Sequence, residues 1–130
     1  MTQEKEKIKI LIVDDSERDR KLLEARLLQL GFQDVLKARH GTEALELARK
    51  HLPDLIFLDI IMPGLDGGAV KQVLKDDPKT KDIPTIFLSS IISKKEQKGI
   101  RGLTGGGDII IAKPPSIEQL SEAINKALNR

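Results

Sequence analysis

Five short apolar runs divide this chain of 130 residues: IKILIV from Ile8, FQDVLKA from Phe32, DLIFLD from Asp54, IPTIFL from Ile83 and DIIIA from Asp108. Runs this short, set off by Gly, Pro and acidic residues, read as strands covered on both faces, as in a parallel sheet. The segments between them carry helix signals. Ser16 with Asp19 three residues on is a helix-start signature, and Leu22, Leu23, Leu27 and Leu30 follow at helical spacing until Gly31. Gly41-Thr42 opens a second helix with Ala44, Leu45 and Ala48 on one side, closed by Pro53. Asp66 can cap a third, carrying Val70, Val73 and Leu74. Ser93 and Glu96 announce a fourth with only Ile100 and Leu103 as large apolar residues, running into the glycines between Gly99 and Gly107. Ser116 and Gln119 form a capping box for the last, with Ile117, Leu120, Ile124 and Leu128 facing the core. Strands and helices alternating in units of roughly 20 to 30 residues imply βαβ crossovers. The expected fold is α/β: a doubly wound five-stranded parallel sheet with five helices on two faces.

Such crossovers put every strand's carboxyl end at the same edge, where doubly wound sheets bind their ligands. At that edge the sequence places Asp14-Asp15, Asp59, Ser89 and Lys113, each directly after an apolar run. Taken singly, the acids could be caps or turn residues, the serine a strand-end hydroxyl and the lysine a solvated charge. Gathered at one rim, three carboxylates near one lysine carry a formal charge of about −2 and repel each other unless a cation enters. An all-oxygen donor set suits a hard divalent ion, Mg²⁺ above all, because it keeps waters for a phosphate oxygen. Asp59, already ionised, needs no general base to attack phosphorus. The metal would spread the charge on the transferring group while Lys113 and Ser89 hold phosphoryl oxygens. Asp66 is expected to cap a helix, and Asp108 to lie at the opposite edge.

Composition narrows the alternatives. With no cysteine, disulfides, thiolate catalysis and thiolate metal sites are excluded. His40 and His51 flank one helix, where capping or solvated roles are expected. Net charge is +2 with both signs interleaved, and three phenylalanines are the only aromatics, so neither nucleic-acid binding nor a membrane surface is indicated. No apolar run reaches the roughly 20 residues of a membrane span, and MTQEKEKIK is too polar for a secretory signal, so a cytoplasmic location is expected. Residues 1–7 read as a polar N-terminal extension and 8–130 as one domain.

In LIVDDS, FLDIIMPGLDG, IPTIFLSS and AKPP, taken in that order, the chain resembles the response-regulator receiver domains of two-component signalling, including the single-domain chemotaxis regulator. The resemblance implies a flavodoxin-like sheet of order 2-1-3-4-5, a topology that general accounts of doubly wound folds illustrate with a member of this family. It implies that Asp59 accepts phosphoryl from a sensor histidine kinase or phosphotransfer protein, or from acetyl phosphate, so that the domain is a switch and not an enzyme. Mg²⁺ would be held by Asp15, Asp59 and the Ile61 carbonyl, with Asp14 through water. Ser89 and Lys113 would grip the phosphoryl group, the Lys113-Pro114 peptide would be cis, and an undetermined downstream protein would read the switched surface. Ile61 and Ile91, which cannot orient water by hydrogen bonds, are expected to slow phosphate loss. Ile110 stands where the family has an aromatic residue, which leaves a second reading: a degenerate receiver signalling by protein contact alone. A third, an aspartate-nucleophile phosphatase of the haloacid-dehalogenase type, would want an acid where Ile61 stands.

Overall fold

The computed structural model describes residues 4–90 and 109–128. A single 3₁₀ turn, Lys5–Lys7, leads into β1 (Lys9–Val13), α1 (Glu17–Gln29), β2 (Asp34–Ala38), α2 (Gly41–His51) and β3 (Leu55–Asp59). Then come α3 (Gly67–Asp76), β4 (Thr85–Ser89), β5 (Ile109–Ala112) and α4 (Ile117–Ala127). The helix announced at Ser93, the glycine-rich segment, Ile91 and Asp108 lie outside the described residues.

All strand pairs are parallel and the sheet order is β2-β1-β3-β4-β5. The alternation along each central strand decides which helix covers which face. Ile10, Ile12, Leu55, Phe57, Ile86 and Leu88 pack with Leu23 and Leu27 of α1 and with Leu120, Ala123 and Ile124 of α4. Leu11, Val13, Ile56, Leu58 and Phe87 point the other way, onto Ala44 and Ala48 of α2 and Val70 and Leu74 of α3. Two apolar layers of this kind supply most of the stabilisation, at about 25 cal/mol per Å² of apolar surface withdrawn from water.

Helix ends follow the local signals. Ser16, Asp66 and Ser116 accept from the backbone N–H three residues on, and Gln119 closes the reciprocal box at α4. His40 caps α2, its Nδ1 accepting from Glu43 N at 3.2 Å. Gly31 ends the turn after α1 at φ +105°, where a Cβ would be strained. Leu22 and Val73 each stand one position before a buried leucine, about 100° around the helix from it, and both are surface residues.

The loop from β3 to α3 is clamped by glycine. A Cβ on Gly67 would lie 2.4 Å from the Asp59 carbonyl oxygen and 2.9 Å from Ile60 Cα, and Gly67 N donates to Ile60 O at 2.9 Å. Gly67→Ala is therefore expected to lower stability by about 1–3 kcal/mol, since backbone must move to admit the methyl group. Urea denaturation measures this; a midpoint equal to that of the parent chain would show that the loop yields freely.

Candidate functional site at the carboxyl edge of the sheet

Between β1 and β3 the strand order reverses: β1 pairs with β2 on one side and with β3 on the other. Side chains at the ends of those two strands face a crevice that no neighbouring connection fills. Asp14 follows β1 directly, its N–H donating to Ala38 O at 3.1 Å. Its carboxylate is buried with both oxygens engaged, Oδ1 accepting from Ser16 N at 2.9 Å and Oδ2 from Lys113 Nζ at 2.9 Å. Asp15 is exposed at the rim, and Asp59, the last residue of β3, is buried. One carboxylate oxygen from each of Asp14, Asp15 and Asp59 lies within 4.8 Å of the others. That spacing and an oxygen-only donor set fit a small hard cation.

Lys113 comes from β5. Its backbone N–H donates to Ser89 O at 2.8 Å, continuing the β4–β5 ladder one step past the strand, and the following peptide to Pro114 is cis. The side chain then reaches back across the rim, with Nζ 2.9 Å from Asp14 Oδ2, 3.1 Å from Asp19 Oδ2 and 3.4 Å from Asp59 Oδ2. Burial alone would lower the ammonium's pKa. Hydrogen bonds to Asp14 and Asp19 and the charge of Asp59 more than offset this, so its pKa is raised and it stays protonated. Asp59 is pushed up from 3.8 to about 6, by burial first and the Asp14 charge second, with Lys113 opposing. One lysine does not balance the acids around it, so the site favours a further positive charge.

Ser89 ends β4 and is buried, joined to the Lys113 backbone through its carbonyl. Ile61 sits in the loop after β3, next to Ile60, whose N–H donates to Leu88 O and whose carbonyl accepts from Gly67 N, while the Ile61 side chain is 74% exposed. Asp66 stays out of the crevice as a cap of α3. Ile110 is half-buried against the layer under α2 and α3.

Two contributors escaped the sequence reading. Asp19, taken there only as part of a helix start, sends its carboxylate to Lys113, and Ser16 N turns to Asp14 in place of a closed capping box. Arg20 Nη1 donates to the Asp14 carbonyl at 2.7 Å and so braces the loop after β1. The signal was present in the spacing: Asp19 stands four residues past Asp15, in the first turn of a helix that starts at this rim.

Comparison with known proteins agrees with this geometry. Residues 10–125 match the family described as the response regulator receiver domain. The polar-differentiation response regulator DivK of Brucella anthropi is 37% identical over 119 residues, 92% of this chain and 94% of that protein. Response regulator PleD of Caulobacter vibrioides is 41% identical over 106 residues, 82% of this chain; the chain spans 23% of that longer relative. Among solved structures, a response regulator from Desulfuromonas acetoxidans superposes with a TM-score of 0.79 at 31% identity, covering 94% of this chain and 97% of that one. Vibrio cholerae chemotaxis protein CheY4 superposes with a TM-score of 0.81 at 27% identity, covering 93% and 98%.

Proposed function

The chain belongs to the response-regulator receiver family, and from that premise we propose that it is a phosphorylation switch whose acceptor is Asp59. Receiver domains are signalling switches, not enzymes in themselves, and they interact with histidine kinases or phosphotransfer proteins. The observation that carries the proposal for this chain is the crevice itself: a buried carboxylate at the end of the central strand, with a lysine ammonium 3.4 Å away and two further acids beside it.

In the proposed reaction an Asp59 carboxylate oxygen attacks phosphorus as the bond to the donor breaks. The electron pair of that bond leaves with a phosphohistidine nitrogen, or with the carboxylate oxygen of an acyl phosphate, and an aspartyl phosphate remains. Magnesium, which supplies charge neutralisation at the transferring group when bound, would be held by Asp15, Asp59 and the Ile61 carbonyl, with Asp14 acting through water. Lys113 stays protonated and pairs with one phosphoryl oxygen, while the Ser89 hydroxyl donates to another. The exposed Ile61 side chain covers the approach of water without orienting it, which would lengthen the life of the phosphorylated state. Charge and three new acceptor oxygens at one point then shift the population of nearby loops and of the face made by β5 and α4, where a downstream protein would bind.

Incubation with Mg²⁺ and acetyl phosphate, or with beryllofluoride, should give a single adduct by mass spectrometry or NMR, absent in Asp59→Asn. With Ile110 in place of an aromatic, a receiver that signals by contact alone is the competing reading; it requires that no adduct form. Sustained phosphate release with turnover would favour a phosphatase instead.

A further inference from the structure

We propose that Asp19 is a positioning residue for Lys113: its carboxylate docks the ammonium against α1 and sets how readily that lysine can turn to a phosphoryl group on Asp59. This rests on the reading of Asp59 as acceptor and adds a control element to the same site. An ammonium has three protons, and here each faces a carboxylate oxygen. The two shorter contacts, 2.9 and 3.1 Å, go to Asp14 and Asp19, and the longest, 3.4 Å, to Asp59. The lysine therefore leans away from the acceptor, toward the start of α1.

Among the described residues Asp19 has no stronger partner. Its backbone N–H, not its carboxylate, makes the cap with Ser16, and the Arg18 guanidinium stands 3.9 Å off on a side chain 93% exposed. The pair is shielded, since Leu22, Leu23, Leu88, Pro114 and Pro115 line the narrow cleft that Asp19 and Lys113 share. Water screens a pair in such a setting less than on open surface. A second tie holds the same two segments together, Arg26 of α1 donating to the Pro115 carbonyl. For Lys113 to grip a phosphoryl oxygen it must give up one acceptor, and releasing Asp19 subtracts from the stabilisation of the transferring group. Asp19 thus restrains phosphorylation, and its release on phosphorylation leaves Arg26 as the remaining tie between α1 and the Lys113 loop.

Asp19→Asn keeps the size and removes the charge. Its Mg²⁺-dependent labelling by acetyl phosphate should be about threefold to tenfold faster than that of the parent chain, the range expected for one shielded charge-assisted pair. Glu17→Gln removes a charge from the same helix turn without touching Lys113, since Glu17 pairs with Lys21, and should label at the parent rate. In the absence of metal and donor, the Lys113 ammonium protons should exchange with water faster in Asp19→Asn, read from their hydrogen–nitrogen NMR correlation. Labelling of Asp19→Asn that is unchanged or slower, or equal acceleration by Glu17→Gln, overturns the proposal, as does unchanged ammonium exchange. If the parent itself takes no adduct, the acceptor reading fails, while the donor-free ammonium exchange still decides whether Asp19 docks the lysine.

Discussion

Asp59→Asn should be more stable than the parent chain in magnesium-free buffer above pH 6, and the two should converge as the pH falls toward 4. The sign follows from where the proton sits. Asp59 titrates near 6 in the folded chain against 3.8 for an ordinary aspartate. Between those values the folded state holds a proton that the unfolded state has lost, so stability falls as pH rises through the window. Above it the ionised acid carries a penalty that solvent at the rim screens to on the order of 1–2 kcal/mol, which the neutral asparagine escapes. The penalty comes from burial and from the neighbouring charges of Asp14 and Asp15, with Lys113 opposing. Urea denaturation of both chains from pH 4 to 8 measures it, and other titrating groups largely cancel in the difference. Added Mg²⁺ should stabilise the parent more than the variant and narrow the gap. Equal midpoints at pH 8, or a less stable variant, would show that the crevice tolerates the ionised acid without strain.

Lys113→Met should act in the opposite direction. It removes the only cation within bonding reach of the buried Asp14 and Asp59 carboxylates among the described residues, while the methionine side chain roughly keeps the volume of the stem. Breaking one side of a buried ion-pair cluster leaves uncompensated charge, an effect on the order of 3–5 kcal/mol. The loss should be largest at pH 7 to 8 without divalent ions and partly recovered by Mg²⁺, which places positive charge in the same crevice. Urea midpoints with and without MgCl₂ provide the check. A variant as stable as the parent in metal-free buffer would mean that the acids redistribute into solvent once the lysine is gone. Together the two substitutions bracket the site: removing one buried negative charge relieves it, and removing its positive charge loads it.

Much of the fold was legible because its signals are local or periodic. Three of the four helices that the structure describes carry an expected serine or aspartate cap, and the fourth is capped by His40. The central strands read as continuous apolar runs because helices cover both faces. The neighbourhood of Asp14, Asp15, Asp59 and Lys113 was legible for a topological reason, since parallel crossovers bring every strand's end to one edge. Asp19 was not, because a capping signature and a lysine partner look alike in sequence when both use an acid in the first helical turn.

The amino-acid sequence by itself determined the order of strands and helices, the parallel sheet and the set of charged residues delivered to its carboxyl edge. These depend on periodicity, capping chemistry and chain direction, all carried within a few residues. Tertiary structure alone decided which acid Lys113 leans on, how far Asp59 is pushed toward its neutral form, and that Gly67 must lie flat against the backbone of Asp59. Those properties depend on distances between atoms from separate segments and on the water excluded around them, and Coulomb energy and desolvation vary with both over less than the length of one side chain.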